Sequence, residues 1–154
     1  MKRRKTIVSA CLLGEACRYD GCSKANAAVT AAVAADEVIP FCPEAPVLGT
    51  PRGRISVVST EAGLRVLKDA DGTDVTDALI EQTEVLMAAH ADAERVILKS
   101  KSPSCGLGTA PVLDEEGNEI SRGNGIAADI LRYAMENADF YDENDLTHPV
   151  KDIL

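Results

Sequence analysis

The 154-residue chain reads as an α/β protein: a single layered domain over residues 1–154, with a mainly parallel sheet flanked by helices and small hairpin insertions. Three observations predict it. Apolar, β-branched runs alternate with helical segments, the pattern of strand–helix–strand units. Two further segments carry hairpin signals. Three of the apolar runs end at, or lead into, a cysteine, as expected where loops after parallel strands converge on one sheet edge.

The elements follow in order. Residues 6–10 form the first strand, and a Gly-containing loop covers 12–22. Ser23 is an expected N-cap for an Ala-rich helix over 24–35. Residues 37–41 form the second strand, and Pro43 turns the chain because it cannot continue a central ladder. The Pro- and Gly-rich stretch 45–54 reads as a loop. Residues 55–58 and 64–67 read as two short strands around Glu61-Ala62-Gly63, followed by the turn Asp69-Ala70-Asp71-Gly72. Val75, Leu79, Ile80, Leu86 and Met87 follow a 3.6 period and predict a helix over 75–90. Residues 95–99 form a buried strand. A hairpin spans 111–120 around Glu116-Gly117-Asn118. Gly123-Asn124-Gly125 precedes a helix over 126–137, residues 139–141 form a last edge strand, and the polar tail from Asp142 packs peripherally.

Composition narrows the function classes. Apolar residues make up 45% and charged residues 27%, which suits one globular domain with a full core. The net charge of −9 disfavours loose binding to phosphate backbones. With no Trp, two Phe and three Tyr, a base-stacking platform is not expected. No apolar run approaches the roughly 20 residues of a membrane span. Residues 6–13 are too short and strand-like for a signal peptide, so a cytoplasmic protein is expected.

Five cysteines in a chain without a secretion signal argue for reduced thiols rather than a disulfide framework. No C-x₂-C pair exists, so a standard zinc site is not indicated. His90 and His148 lie in a helix and near the tail, away from the cysteines in sequence. Thiolates favour zinc, copper(I) or iron–sulfur clusters. Cys11, Cys42 and Cys105 sit beside structure-breaking residues at strand ends, so a metal or cluster role is favoured for them. Cys22 reads as a buried small hydrophobe. Cys17 either reaches the same site, as a fourth ligand or sulfur carrier, or packs at the first helix.

Glu44 lies two residues after Cys42. Burial beside thiolates would raise its pKa, as a general acid/base requires; a solvated glutamate or an ion pair with Arg52 or Arg54 is the competing reading. Ser100, Ser102 and Ser104 line the third loop with Lys99 and Lys101, without the surroundings of a serine hydrolase. Tyr19-Asp20-Gly21 reads as a turn. Gly125 opens a helix whose N-terminus could face an anion. The glycines do not form a dinucleotide-binding motif.

Together these blocks resemble the thiouracil desulfidase family. Ser9-Ala10-Cys11-Leu12-Leu13-Gly14 with Cys17-Arg18-Tyr19-Asp20-Gly21 resembles its first signature. Cys42-Pro43-Glu44 with Pro51-Arg52 resembles the second, Lys99 through Gly106 the third, and Gly123-Asn124-Gly125 a weaker fourth. The likeness runs in order over nearly the whole chain. It implies a [4Fe–4S] cluster held by Cys11, Cys42 and Cys105, with one iron open to the substrate sulfur. It also implies non-redox desulfuration of a thiolated pyrimidine base or nucleoside, thiouracil plus water giving uracil and hydrogen sulfide. Glu44 would assist proton transfer or activate water, and Ser100 would position or protonate the base. A small-molecule substrate is expected ahead of tRNA, with no membrane partner. The chain departs from the family at Ala45-Pro46-Val47-Leu48-Gly49, where a Gly-Gly pair is expected, and at Thr109-Ala110-Pro111-Val112-Leu113. Both departures bear on substrate identity. Two alternatives stay open: a non-catalytic cluster or zinc sensor, and a thiol sulfur carrier using Cys11 and Cys17. Glu44 and Ser100 discriminate, because a binding module does not need them.

Overall fold

The computed structural model describes residues 3–14, 25–49 and 53–146. Cys17, Cys22, Tyr19, Asp20, Ser23, Arg52 and His148 lie outside the described residues.

Strand β1 (Lys5–Ser9) runs into a 3₁₀ turn, Ala10–Leu13, closed by Gly14 at φ 98°. Helix α1 (Ala27–Ala32) is shorter than expected. Its cap is Asn26, whose side chain accepts from the Val29 amide at 3.1 Å. Strand β2 (Glu37–Phe41) has the expected bounds. The stretch expected to be a loop instead contains a one-turn helix, α2 (Ala45–Leu48), with Pro46 in its first turn, where a missing N–H costs no intrahelical bond. A hairpin follows, β3 (Ile55–Thr60) and β4 (Gly63–Lys68), turning at Gly63 with φ 95°. Next come α3 (Thr76–His90) and β5 (Arg95–Leu98). A second hairpin is made by β6 (Ala110–Leu113) and β7 (Glu119–Gly123). The chain continues through α4 (Ile126–Ala134), β8 (Asp139–Asp142) and a 3₁₀ turn, Glu143–Leu146.

Two four-stranded sheets result, with orders β2-β1-β5-β8 and β4-β3-β6-β7. The first is wholly parallel. In the second, the two antiparallel hairpins join through a parallel β3–β6 pairing, so the hairpins form a sheet of their own. Pro40 is tolerated because β2 is an edge strand, where one row of N–H groups is not needed by a neighbour.

Both faces of the parallel sheet are covered, which explains its continuously apolar strands. Along β1 and β5, Ile7, Val96 and Leu98 face a core with Ala127, Ala128 and Leu131 of α4, while Val8 and Ile97 face Val29 and Val33 beside α1. The second sheet packs Val57, Val66 and Val112 against Leu79 of α3. The chain moves from β1 to β2 on one side, then crosses to β5 on the other. The strand order therefore reverses beside β1, and the crevice outside the strand C-termini at such a reversal is where ligands bind in open parallel sheets.

Candidate active site

The C-terminal edge of the parallel sheet collects most of the candidate residues. Cys11 sits in the 3₁₀ turn after β1, Cys42 immediately follows β2, and Cys105 lies in the loop after β5. Cys11 and Cys105 are buried and Cys42 is half-buried. Burial pushes the Cys105 thiol well up. A hydrogen bond from Ser9 opposes this, and the neighbouring Glu44, Cys42 and Cys11 charges add to the rise. The three cysteines and Glu44 thus converge electrostatically. Among the described residues, no three His, Cys, Asp or Glu side chains are grouped to hold a single metal ion.

The polar surroundings of the cysteines are ordered. The Lys99 amide donates to Ser9 Oγ at 2.9 Å, across the switch point between β1 and β5. Its oxygen thus occupied as an acceptor, Ser9 keeps its single hydrogen for the Cys105 sulfur. The Ala45 amide, at the start of α2, points at Cys42 Sγ at 3.4 Å. Two donors fixed toward soft sulfurs, one of them itself held by the Lys99 amide, suit thiolates that bind a cationic group.

The loop between β5 and β6 is held on itself. Ser102 Oγ accepts from the amides of Ser104 (3.1 Å) and Cys105 (2.9 Å), an arrangement that presents the cysteine. Lys101 adopts φ 64°, a left-handed conformation sparsely populated by non-glycine residues, and its amide donates to Thr109 Oγ1 at 2.8 Å. Against this loop stands the start of α4. The amide of Ile126 donates to the Pro103 carbonyl, and those of Ala127 and Ala128 to the Ser104 carbonyl. The expected anion site at this helix N-terminus is therefore not formed: its first amides are spent on the loop. Gly125 has to be glycine because a Cβ there would lie 2.4 Å from Ser104 C and 2.7 Å from Cys105 N.

Glu44 and Ser100 have different partners. Ser104 Oγ, fully buried, donates to Glu44 Oε2 at 2.7 Å. The hydroxyl that meets the candidate acid/base is thus Ser104, one the sequence placed in the loop but did not single out. Ser100 is buried at the end of β5 and bound twice to Glu143: its amide donates to Oε1 and its hydroxyl to Oε2, both at 2.8 Å. Lys99 Nζ lies 3.0 Å from Glu143 Oε2. Burial works hardest against the Glu143 charge, but the Ser100 and Lys99 hydrogen bonds prevail and hold its carboxyl below the ordinary glutamate value. Glu143 follows β8 and sits in a stretch expected to be a peripheral tail; instead it is buried. Nothing in the local sequence pattern marks it, since its role comes from β8 pairing in parallel beside β5.

Comparison with known proteins bears on the family. The family model described as 2-thiouracil desulfurase matches residues 6–143. An uncharacterized protein, YbbK, of Bacillus subtilis (strain 168) is 33% identical over 138 residues, covering 83% of this chain and 89% of that protein. A solved structure described as a [4Fe-4S]-dependent thiouracil desulfidase, TudS, superposes with a TM-score of 0.72 at 32% identity, covering 98% of each chain. The shared fold, the match across nearly the whole strand and helix succession, and the converging cysteines lead to one assignment: this chain belongs to the 2-thiouracil desulfurase family.

Proposed function

We propose that this protein is a [4Fe–4S]-dependent desulfidase that converts a thiolated pyrimidine base or nucleoside and water into the oxo-pyrimidine and hydrogen sulfide. The observation that carries the reading is the convergence of Cys11, Cys42, Cys105 and Glu44 outside the strand C-termini of the parallel sheet. Three thiolates, with a fixed N–H donor at Cys42 and an O–H donor at Cys105, are a donor set suited to such a cluster. When bound through three cysteines, the cluster supplies an iron with an open position, a Lewis acid for the substrate sulfur.

The chain's own residues have separate tasks. Glu44, held by Ser104, takes a proton from the water that adds to the sulfur-bearing carbon and returns one as the C–S bond breaks. The carbon keeps the water oxygen, and sulfur leaves as hydrogen sulfide, so no electrons are exchanged. Ser100 contacts the pyrimidine ring. The acidic net charge supports a small substrate over a polynucleotide, and the reduced thiols support a cytoplasmic setting. Residues 1–154 serve as a single desulfidase domain in this reading.

Anaerobic reconstitution with iron and sulfide tests it. The holoprotein is expected to show the broad visible absorption of thiolate-bound clusters and to release uracil and sulfide from 2-thiouracil. Glu44→Ala is expected to keep that absorption and lower kcat by about 10²–10⁴-fold, the range for loss of a general acid/base. A colourless protein with tightly bound zinc, or full turnover by Glu44→Ala, would overturn the respective parts.

A further inference from the structure

We propose that Glu143 is a positioning residue that sets the Ser100 hydroxyl to accept a hydrogen bond from a ring N–H of the substrate. This rests on the desulfidase reading for the substrate class.

The argument begins with the hydroxyl's capacity. A serine has one hydrogen to donate and two lone pairs to accept with. Ser100 Oγ gives its hydrogen to Glu143 Oε2 at 2.8 Å. An ionised carboxylate only accepts, so this direction cannot reverse while Glu143 is charged. Lys99 Nζ, 3.0 Å from the same carboxylate oxygen, reinforces that charge. At 3.4 Å, Lys99 also lies against one side of the Ser100 oxygen. One lone pair of Ser100 remains, and it can only receive. The Ser100 amide donates to the other Glu143 oxygen at 2.8 Å, so backbone and side chain are clamped together.

Location supports a functional rather than purely structural role. Glu143 and Ser100 lie at the C-terminal ends of β8 and β5, the sheet edge that also presents the cysteines. Burying a carboxylate is costly, and a hydrophobic pair of equal volume often stabilises a fold as well. An acceptor oxygen at this sheet edge would favour rings with a free N–H over rings alkylated there. It also removes Ser100 as a proton donor and leaves proton transfer to Glu44.

Binding to the reconstituted holoprotein tests the proposal, using 2-thiouracil, 1-methyl-2-thiouracil and 3-methyl-2-thiouracil. Wild type is expected to bind one methyl isomer roughly five- to tenfold more weakly than 2-thiouracil, the scale of one neutral hydrogen bond. In Glu143→Gln the amide NH₂ can donate to Ser100 Oγ and displace its acceptor role. That variant is expected to lose the same factor on 2-thiouracil and almost nothing on the isomer that already lacks the N–H. KM should rise in parallel while kcat stays within about twofold, the mark of an interaction made equally in ground and transition states. Should Glu143→Gln fail to fold, Ser100→Ala must erase the same discrimination. Equal losses on all three probes, or none, would overturn the proposal. Turnover in the same samples separates the two readings. Discrimination without uracil or sulfide release refutes desulfuration and leaves the acceptor role standing. Turnover without discrimination does the reverse, and absence of any binding refutes both.

Discussion

Gly125 shows how closely one residue governs the cysteine loop. Its missing Cβ is the space occupied by the Ser104 carbonyl group and the Cys105 amide nitrogen, 2.4–2.7 Å from where that atom would be. Its φ is not in the left-handed region, so contact rather than backbone freedom demands glycine. Gly125→Ala is expected to cost about 1–3 kcal/mol, the usual scale of overpacking, and to reduce iron bound per chain by shifting Cys105. Gly123→Ala is the control, because nothing stands within 4 Å of its Cβ position, and it should change stability by less than about 0.5 kcal/mol. Urea melts and iron analysis of both variants check this, and equal behaviour would remove the steric explanation. At this scale the sequence was informative about chemistry and poor about partners. Thiolate preference and strand-end position singled out Cys11, Cys42 and Cys105. That Ser104 rather than Ser100 meets Glu44, and that Ser9 meets Cys105, depends on which way neighbouring side chains point across different strands.

Among the elements, β1, β2 and β5 are tied together at both ends. The cysteines occupy one edge. Toward the other, Asp36 just before β2 accepts from Thr6 Oγ1 of β1 and Arg95 Nη2 of β5, both at 2.7 Å. Arg95 also donates to the Ala32 carbonyl at the end of α1. Both charged side chains are about nine-tenths buried. Removing one partner of such a pair leaves the other charge buried and uncompensated, so Asp36→Ala is expected to cost about 3–5 kcal/mol. Chemical denaturation measures it, and a loss under about 1 kcal/mol would mean that water or Arg95 rearrangement compensates. Strands β1, β2 and β5 were readable because a strand buried on both faces must be apolar throughout. The one-turn helix α2 was not, since its Pro and Gly content matches a loop and the apolar cluster that Val47 and Leu48 pack against is gathered from β3, β4, α3 and β6. The second sheet was also hidden: each hairpin is a local signal, but the parallel β3–β6 pairing joins segments on either side of α3 and β5.

For the molecule as a whole, hydrogen-bonded and ion-paired carboxylates make acid the expected weakness. The −9 count gives no indication of which carboxylates matter, because that depends on burial and partners. The structure separates them. Arg65 hydrogen-bonds Asp74 and draws its pKa from 3.8 to about 2. Burial opposes the Asp36 charge, yet the hydrogen bonds from Thr6 and Arg95 hold its carboxyl below the ordinary range, and Glu143 is lowered in the same manner by Ser100 and Lys99. Asp142 runs the other way, raised by burial and then by Asp145. A carboxyl whose folded pKa is depressed binds fewer protons in the folded state than in the unfolded state. Its stabilisation is complete above the unfolded value and is lost as pH falls through the folded one. For Asp36, Asp74 and Glu143 that loss begins below the ordinary values of 3.8 and 4.5. Among the described residues Asp142 is relieved by protonation, whereas Asp36, Asp71, Asp74, Asp114 and Glu143 are all held ionised, so the five opposing groups decide the sign. Urea midpoints are therefore expected to fall steadily as pH drops from about 4.5 toward 2. Glu143→Gln, which has no proton to gain, should show a shallower decline, and the stability gap between it and wild type should narrow over the same interval. A midpoint that holds or rises on acidification, or parallel curves for the two proteins, would contradict the assignment of Glu143 as a carboxylate held ionised by Ser100 and Lys99.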